Sequence, residues 1–109
     1  MIYAESKIQR QIVRDIRYLY PQSVLFSVPN EGRRNPRTAS IMKANGILSG
    51  VSDLILLHKG KCYFIEVKAA KGTQTVLQRE FADKVKAQGF EYHIVRSSQE
   101  LVNIIEGLK

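Results

Sequence analysis

Apolar residues recur every three or four positions in three stretches of the chain, and this spacing predicts amphipathic helices. The first helix covers residues 4–19, and its predicted buried stripe consists of Ile8, Ile12, Ile16 and Leu19. The second begins near Val76, because Thr75-x-x-Gln78 has capping-box spacing. Its predicted apolar face consists of Leu77, Phe81 and Val85. The third helix begins after Ser97, because Ser97-x-x-Glu100 also has capping-box spacing. Its predicted apolar set consists of Leu101, Val102, Ile104, Ile105 and Leu108.

A short fourth helix is predicted between residues 36 and 45. Asn35 suits the N-cap and Pro36 suits the first helical position. Gly46 suits the position just after the last turn. Before this helix, residues 29–37 are rich in Pro, Gly and Asn, which is typical of a loop.

Four short stretches have the composition of strands. Residues 23–28 alternate in polarity, and residues 90–95 form a further strand-like run. Residues 54–57 and 63–65 are apolar runs on either side of Lys59-Gly60, which predicts a hairpin with a two-residue turn. The predicted order is helix, strand, helix, strand, strand, helix, strand, helix. This order indicates an α/β fold with a mixed central sheet flanked by helices.

The predicted hairpin brings two acids to one end of its ribbon. A two-residue turn pairs His58 with Lys61 and therefore pairs Asp53 with Glu66. Period-two alternation places Lys68 on the face of Glu66. Facing carboxylates repel each other, and a hard divalent cation would relieve that repulsion. The alternative is that the strand ends are solvated and that Lys68 pairs with one acid.

Length and composition narrow the possible classes of protein. The 109 residues suffice for one domain, residues 1–109, around a single core. No apolar run approaches the length of a membrane span, and the first residues do not resemble a signal peptide. The lone Cys62 cannot form an internal disulfide, which favours a reducing compartment. One cysteine and two distant histidines also exclude a structural zinc cluster.

The chain is basic, with a formal charge of +7, which favours a polyanionic partner such as nucleic acid. Four cations at helical spacing form a stripe on the first helix, for which a solvated surface is the simpler interpretation. Further basic residues lie in the predicted loop at residues 29–37 and in the segment after the hairpin. The candidate DNA-binding residues are Lys7, Arg10, Arg14, Arg17, Arg33, Arg34, Arg37 and Lys71.

Asp53 followed by Glu66-Val67-Lys68 on a strand resembles the PD-(D/E)XK nuclease superfamily, as does the order of elements. One branch, the virus-type replication-repair nuclease (VRR-NUC) domain family, resembles the chain more fully. The further shared features are Glu5, the loop Pro29-Asn30-Glu31-Gly32, Gly50 before Asp53, Ile65, Gly72 and Gln78. The resemblance covers residues 5 to about 95 and is to the stand-alone phage and bacterial members. Ser52 departs from it, since a proline often precedes the Asp.

The resemblance implies a restriction-endonuclease-like PD-(D/E)XK core with a metal-dependent active site. Asp53 and Glu66 would bind Mg²⁺ or Mn²⁺ together with the backbone carbonyl of Val67. Glu5 would assist the metal directly or through water.

Two further residues would act on the reaction itself. Lys68 would orient the attacking water and stabilise charge on the phosphate, and Gln78 would position Lys68 or the water. A structural role remains the alternative for three of these residues: Glu5 favours the helix dipole, Gln78 completes a capping box and Lys68 forms a salt bridge.

We therefore expect a metal-dependent DNA endonuclease. The resemblance implies branched or junction DNA, such as a Holliday junction, as the substrate in replication, recombination or repair. It also implies a homodimer, and we expect it in the cytoplasm of a bacterium or a phage-infected cell. The alternative function is a non-catalytic DNA-binding module that uses the same basic surface. A restriction-type enzyme would need base-specific contacts, and no segment is marked for target recognition.

Overall fold

The structure, a computed structural model, describes residues 3–29 and 35–108. Within these residues, four helices and four strands follow one another in the predicted order. They are α1 (Tyr3–Leu19), β1 (Val24–Ser27), α2 (Pro36–Ala44), β2 (Leu54–His58), β3 (Lys61–Val67), α3 (Val76–Ala87), β4 (Glu91–Val95) and α4 (Ser98–Glu106). The predicted loop at residues 29–37 lies largely outside the described residues, and so do Arg33 and Arg34.

The strands form one mixed sheet in the order β1-β2-β3-β4. The first two pairings are antiparallel, and β3 pairs with β4 in parallel, with α3 as the connection between them. Lys59 and Gly60 make the hairpin turn with φ of 50° and 78°, which the right-handed twist of a two-residue hairpin favours. His58 pairs with Lys61 and Leu54 with Ile65, so the predicted register is confirmed.

Helices cover the two faces of the sheet unequally. On one face, the helices α1 and α4 enclose the larger core, which contains Ile12, Ile16, Leu25, Leu54, Leu56, Tyr63, Ile65, Val67, Val95 and Leu101. On the other face, α3 packs Phe81, Ala82 and Val85 against Tyr92 and Phe64. The helix α3 therefore covers the β3–β4 half of its face, and the β1–β2 half retains exposed apolar side chains.

The structure corrects the predicted apolar positions Leu19 and Leu77, and shows which face of β1 is buried. Leu25 is the buried residue of β1, whereas Val24 and Phe26 lie on the partly uncovered face with 53% and 42% exposure. Leu77 is also exposed, because the first turn of α3 begins at the rim of the small core. Leu19 is exposed at the end of α1, where Tyr20 packs against the core instead.

The predicted helix ends are largely confirmed. The Asn35 side chain accepts a hydrogen bond from the Thr38 N–H at 2.8 Å, as an N-cap does. Thr75 forms a complete capping box with Gln78. At α4 the box is only half formed, because Glu100 accepts from the Arg96 N–H instead of the Ser97 N–H. Leu108 lies beyond the C-cap Gly107 and is exposed, so it does not extend the apolar face of α4.

Candidate functional site

The segment that leads into β2 is packed tightly against the start of α3. Gly50 has φ of 82°, and a Cβ built on it would lie 2.3 Å from the Leu77 carbonyl oxygen. Only glycine therefore fits at this contact without moving the backbone. Ser52 is almost fully buried, and its hydroxyl donates to the Leu54 carbonyl oxygen at 3.3 Å. Residues 50–52 thus fix where the chain reaches Asp53.

Asp53 spans the end of the β2–β3 ribbon. Its Oδ2 accepts a hydrogen bond from the Val67 N–H at 2.7 Å. Partial burial raises the pKa of the Asp53 carboxyl above its ordinary value, although the Val67 N–H acts in the opposite direction. The negative charges of Glu66 and Glu5 raise this pKa further, and the Lys68 ammonium lowers it. Asp53 therefore lies where negative charge accumulates, and a cation is favoured there.

Glu66 is completely buried, so the alternative of a solvated strand end is wrong for this acid. Its two carboxylate oxygens have different surroundings. Oε1 accepts a hydrogen bond from the Tyr92 hydroxyl and another from Gln74 Nε2 at 3.3 Å. Oε2 is buried and lies 3.3 Å from Lys68 Nζ, but no hydrogen bond reaches it from the described residues. Buried polar atoms are nearly always hydrogen-bonded, so an Oε2 that faces the Lys68 ammonium but accepts no hydrogen bond is a candidate metal-ligand atom.

Lys68 and Glu5 complete the cluster. Lys68 is 8% exposed, and its pairing with Glu66 is the salt bridge that the sequence offered as an alternative role. A Cβ built on Gly72 would lie 3.3 Å from both Glu5 Oε2 and Lys68 Cδ, so the Glu5 carboxylate and the Lys68 side chain both border Gly72. Glu5 lies in the first turn of α1, where its charge favours the helix dipole, and the same charge raises the pKa of Asp53.

Gln78 shows the capping role. Its side-chain oxygen accepts the Thr75 N–H at 2.9 Å, which is half of the α3 capping box. The glutamine that reaches the acids is instead Gln74. Sequence patterns missed both Gln74 and Tyr92. A hydroxyl-bearing aromatic residue in a strand beside the acid-bearing strand was the available signal for Tyr92.

The donor atoms suit a hard divalent cation. In the described part of the chain, no three His, Cys, Asp or Glu side chains are grouped closely enough to hold a metal by themselves. Mg²⁺ commonly binds through one or two carboxylates and completes its shell with water or phosphate oxygens. Asp53 and Oε2 of Glu66, which accepts no hydrogen bond from the described residues, fit that pattern. The Val67 carbonyl belongs to the same backbone segment, and the charge of Glu5 is near enough to raise the pKa of Asp53.

The predicted basic residues occupy separate surfaces. Three of them line a groove of about 530 Å³ between α1 and β1: Arg10, Arg14 and Arg17. Lys7 lines a different hollow beside Arg96, at the start of α4. Arg37 and Lys71 are exposed in α2 and in the loop after β3. The structure therefore divides the predicted basic stripe on α1 between two surfaces.

The α1–β1 groove leads towards the acids. Ser27 lines the groove, and the next residue, Val28, donates its N–H to the Asp53 carbonyl oxygen at 2.9 Å. Arg17 donates to the Leu25 carbonyl oxygen at 3.0 Å and so covers part of the free edge of β1.

No protein-family model and no curated protein matches this sequence. Solved structures do match it. One, described as a VRR_NUC domain, has a TM-score of 0.68 and 20% identity, and the match covers 96% of this chain and 97% of that one. Another, described as a VRR_NUC domain protein, has a TM-score of 0.72 and 16% identity, and the match covers 98% of this chain and 88% of that one. The chain thus has the restriction-endonuclease-like fold of VRR-NUC domain structures, and the resemblance inferred from its sequence is confirmed for the fold.

Proposed function

We propose that this chain is a metal-dependent nuclease that hydrolyses phosphodiester bonds of DNA. One observation carries the proposal: a fully buried Glu66, with a carboxylate oxygen that accepts no hydrogen bond from the described residues, lies beside Lys68 and on the same sheet face as Asp53. Burying charge is costly unless it is paired or binds a metal, so such a cluster indicates function more than stability. The fold shared with VRR_NUC domain structures supports the same reaction class.

In this proposal Asp53, Glu66 and the Val67 carbonyl hold Mg²⁺ or Mn²⁺, and Glu5 assists through water. A bound divalent ion neutralises phosphate charge and lowers the pKa of water. The Val67 N–H fixes the Asp53 carboxylate by holding Oδ2 at 2.7 Å. The Lys68 ammonium, which is nearly buried, stabilises the negative charge that develops on the phosphate. The Gln78 amide oxygen is used by the α3 cap, so a direct role of Gln78 in positioning water or Lys68 has no support from its contacts.

We further propose that the basic surfaces hold the DNA. Ser27 lines the groove with Arg10, Arg14 and Arg17, and the next residue bonds the Asp53 backbone. The chain also has a formal charge of +7. Contacts between arginine side chains and phosphates bind DNA without reading its base sequence. They suit an enzyme that selects branched or junction DNA, including Holliday junctions, in replication, recombination or repair.

We also propose that the active form is a homodimer in a reducing cytoplasm, bacterial or phage-infected. Exposed apolar side chains on the β1–β2 half of the sheet support self-association, namely Val24 and Leu57. The free thiol of Cys62 supports the reducing compartment. Light scattering at working concentrations tests the dimer, and a fully active monomer would overturn it.

Cleavage assays test the central proposal. Flaps, splayed arms, four-way junctions and linear duplexes are incubated with Mg²⁺ or Mn²⁺, using wild type, Asp53→Ala and Glu66→Ala. Asp83→Ala, which removes an exposed acid on α3, serves as the matched control. We expect cutting by wild type and the control, and loss of cutting with retained DNA binding in both site variants. If the site variants cut as well as wild type, the assignment of these acids is wrong.

The same experiment separates the alternative function. A non-catalytic DNA-binding module predicts salt-dependent DNA binding by wild type without cleavage in either metal. It also predicts no heat of Mn²⁺ binding in calorimetric titration.

A further inference from the structure

The carboxylate of Glu66 is held asymmetrically by residues outside the predicted site. Tyr92 on β4 and Gln74 in the loop before α3 both donate hydrogen bonds to Oε1. Lys68 lies beside the other oxygen, Oε2, without a hydrogen bond. Three separate segments therefore surround one carboxylate, and they leave one oxygen without a donor.

We propose that Tyr92 and Gln74 are positioning residues that fix the rotation of Glu66, so that Oε2 is the oxygen presented to the metal. This inference rests on the proposed function. Two donors on Oε1 withdraw electron density from that oxygen and resist rotation of the group about its Cγ–Cδ bond. Residues that orient metal ligands in this way commonly change metal affinity or activity by about 10–100-fold when they are replaced.

The structure holds Tyr92 firmly enough for this role. Tyr92 pairs with Phe64 across β3 and β4, so its side chain shares the sheet face of Glu66. Only 7% of Tyr92 is exposed, and its ring packs edge-on against Phe81 with centroids 6.1 Å apart. The hydroxyl is thus directed by a paired strand on one side and by α3 on the other.

Gln74 is anchored through the start of α3. It directly precedes Thr75, the N-cap whose side chain accepts the Gln78 N–H at 3.1 Å. The capping box that uses Gln78 therefore also sets the position from which Gln74 reaches Glu66. In this way Gln78 acts on the site through the backbone.

Calorimetric titration of metal tests the inference without needing catalysis. Mn²⁺ is titrated into wild type, Tyr92→Phe, Gln74→Ala and Asp53→Asn. Tyr63→Phe is the matched control, because Tyr63 is 3% exposed but lies in the core on the opposite sheet face. We expect Tyr92→Phe and Gln74→Ala to weaken Mn²⁺ binding by about 10–100-fold, and the control to bind like wild type.

Thermal unfolding without metal separates positioning from general damage. Tyr92→Phe and Tyr63→Phe each remove one hydroxyl from a buried tyrosine, so a general loss of packing would weaken metal binding in both. Gln74 is partly exposed in a loop, and its variant tests the inference even where Tyr92→Phe does not fold.

Three outcomes decide the matter. Weaker Mn²⁺ binding by Tyr92→Phe or Gln74→Ala, with Tyr63→Phe unchanged, supports the inference. Wild-type affinity in Gln74→Ala and in folded Tyr92→Phe, together with loss of binding in Asp53→Asn, overturns the positioning role and leaves the proposed function intact. Absence of Mn²⁺ binding by wild type overturns both.

Discussion

Asp53 Oδ2 accepts the Val67 N–H at 2.7 Å, and this bond joins the entrance of β2 to the end of β3. The backbone N–H of Val67, the residue after Glu66, therefore positions Asp53, the other acid of the candidate site. The hydrogen bond and the antiparallel pairing support each other, because both require Asp53 to lie opposite Glu66. Burial of the Asp53 charge outweighs this hydrogen bond, because the pKa of Asp53 is raised, so the ionised side chain costs stability.

We predict that Asp53→Asn stabilises the metal-free protein at neutral pH. The folded-state pKa of Asp53 is raised above 3.8, mainly by burial, so the folded chain binds this proton more tightly than the unfolded chain does. Stability therefore increases as pH falls through the raised pKa towards 3.8, and ionised Asp53 lowers stability at pH 7. Asparagine removes that penalty and can still accept the Val67 N–H.

The measurement is thermal unfolding in EDTA at several pH values. We expect a higher Tm for Asp53→Asn than for wild type at pH 7, with the difference shrinking as pH falls through the raised pKa. Added Mn²⁺ should raise the Tm of wild type but not of the variant, since a ligand stabilises only the state that binds it. Asp83→Asn is the exposed control. A lower Tm for Asp53→Asn at pH 7 would contradict the prediction.

Glu66→Gln is predicted to have the opposite effect on stability. Glu66 and Lys68 form a pair in which both side chains are almost fully buried. Removing one partner leaves the other charge buried without compensation, which typically destabilises a protein by about 3–5 kcal/mol. Urea unfolding of Glu66→Gln, Lys68→Met and the double variant forms a double-mutant cycle. We expect the double variant to be less destabilised than the sum of the single ones, and strict additivity would show that the pair is not coupled.

The hairpin and its acids were predictable because their geometry is local. A two-residue turn with Gly60 in its second position determines the register, and the register determines which residues face each other. The helix caps at Asn35 and Thr75 were predictable for the same reason, since a cap involves residues only three positions apart.

The contacts that the sequence did not predict are long-range. Tyr92 reaches Glu66 only because β4 pairs in parallel with β3 after the α3 crossover, and the register of that pairing depends on packing. The exposure of Val24 and Phe26 has a similar cause. Alternation shows that these side chains share a face, but it does not show which part of the face α3 covers.

Arg10 and Arg14 are predicted to set the salt dependence of DNA binding. Both are exposed and line the α1–β1 groove, whereas Arg17 is also bonded to the Leu25 carbonyl oxygen and is left unchanged. Removing one arginine that binds a phosphate should reduce the slope of log affinity against log salt by about 0.9 for duplex DNA. We expect the double alanine variant to reduce this slope by about 2.

Fluorescence anisotropy at several salt concentrations provides the slope. Lys59→Asn is the control, because it removes a cation from the hairpin turn, and asparagine tolerates the positive φ of that position. An unchanged slope in the arginine variant, or an equal reduction in the control, would argue against the groove as the DNA surface.

Gly50→Ala is predicted to disrupt both the fold and the site. A Cβ at this position would lie 2.3 Å from the Leu77 carbonyl oxygen, and the φ of 82° is strained for alanine. Strain and overpacking together should lower the free energy of unfolding by about 2–5 kcal/mol. Because residues 50–52 position Asp53, Mn²⁺ binding should weaken as well.

Gly46→Ala is the matched control for this prediction. Gly46 also has positive φ, 102°, but nothing lies within 4 Å of a Cβ built there. Its substitution should show the conformational penalty alone, about 1–2 kcal/mol, without a change in Mn²⁺ affinity. Urea unfolding and metal titration of both variants separate strain from collision. Equal losses of stability in the two variants would mean that the contact between Gly50 and Leu77 does not constrain the site.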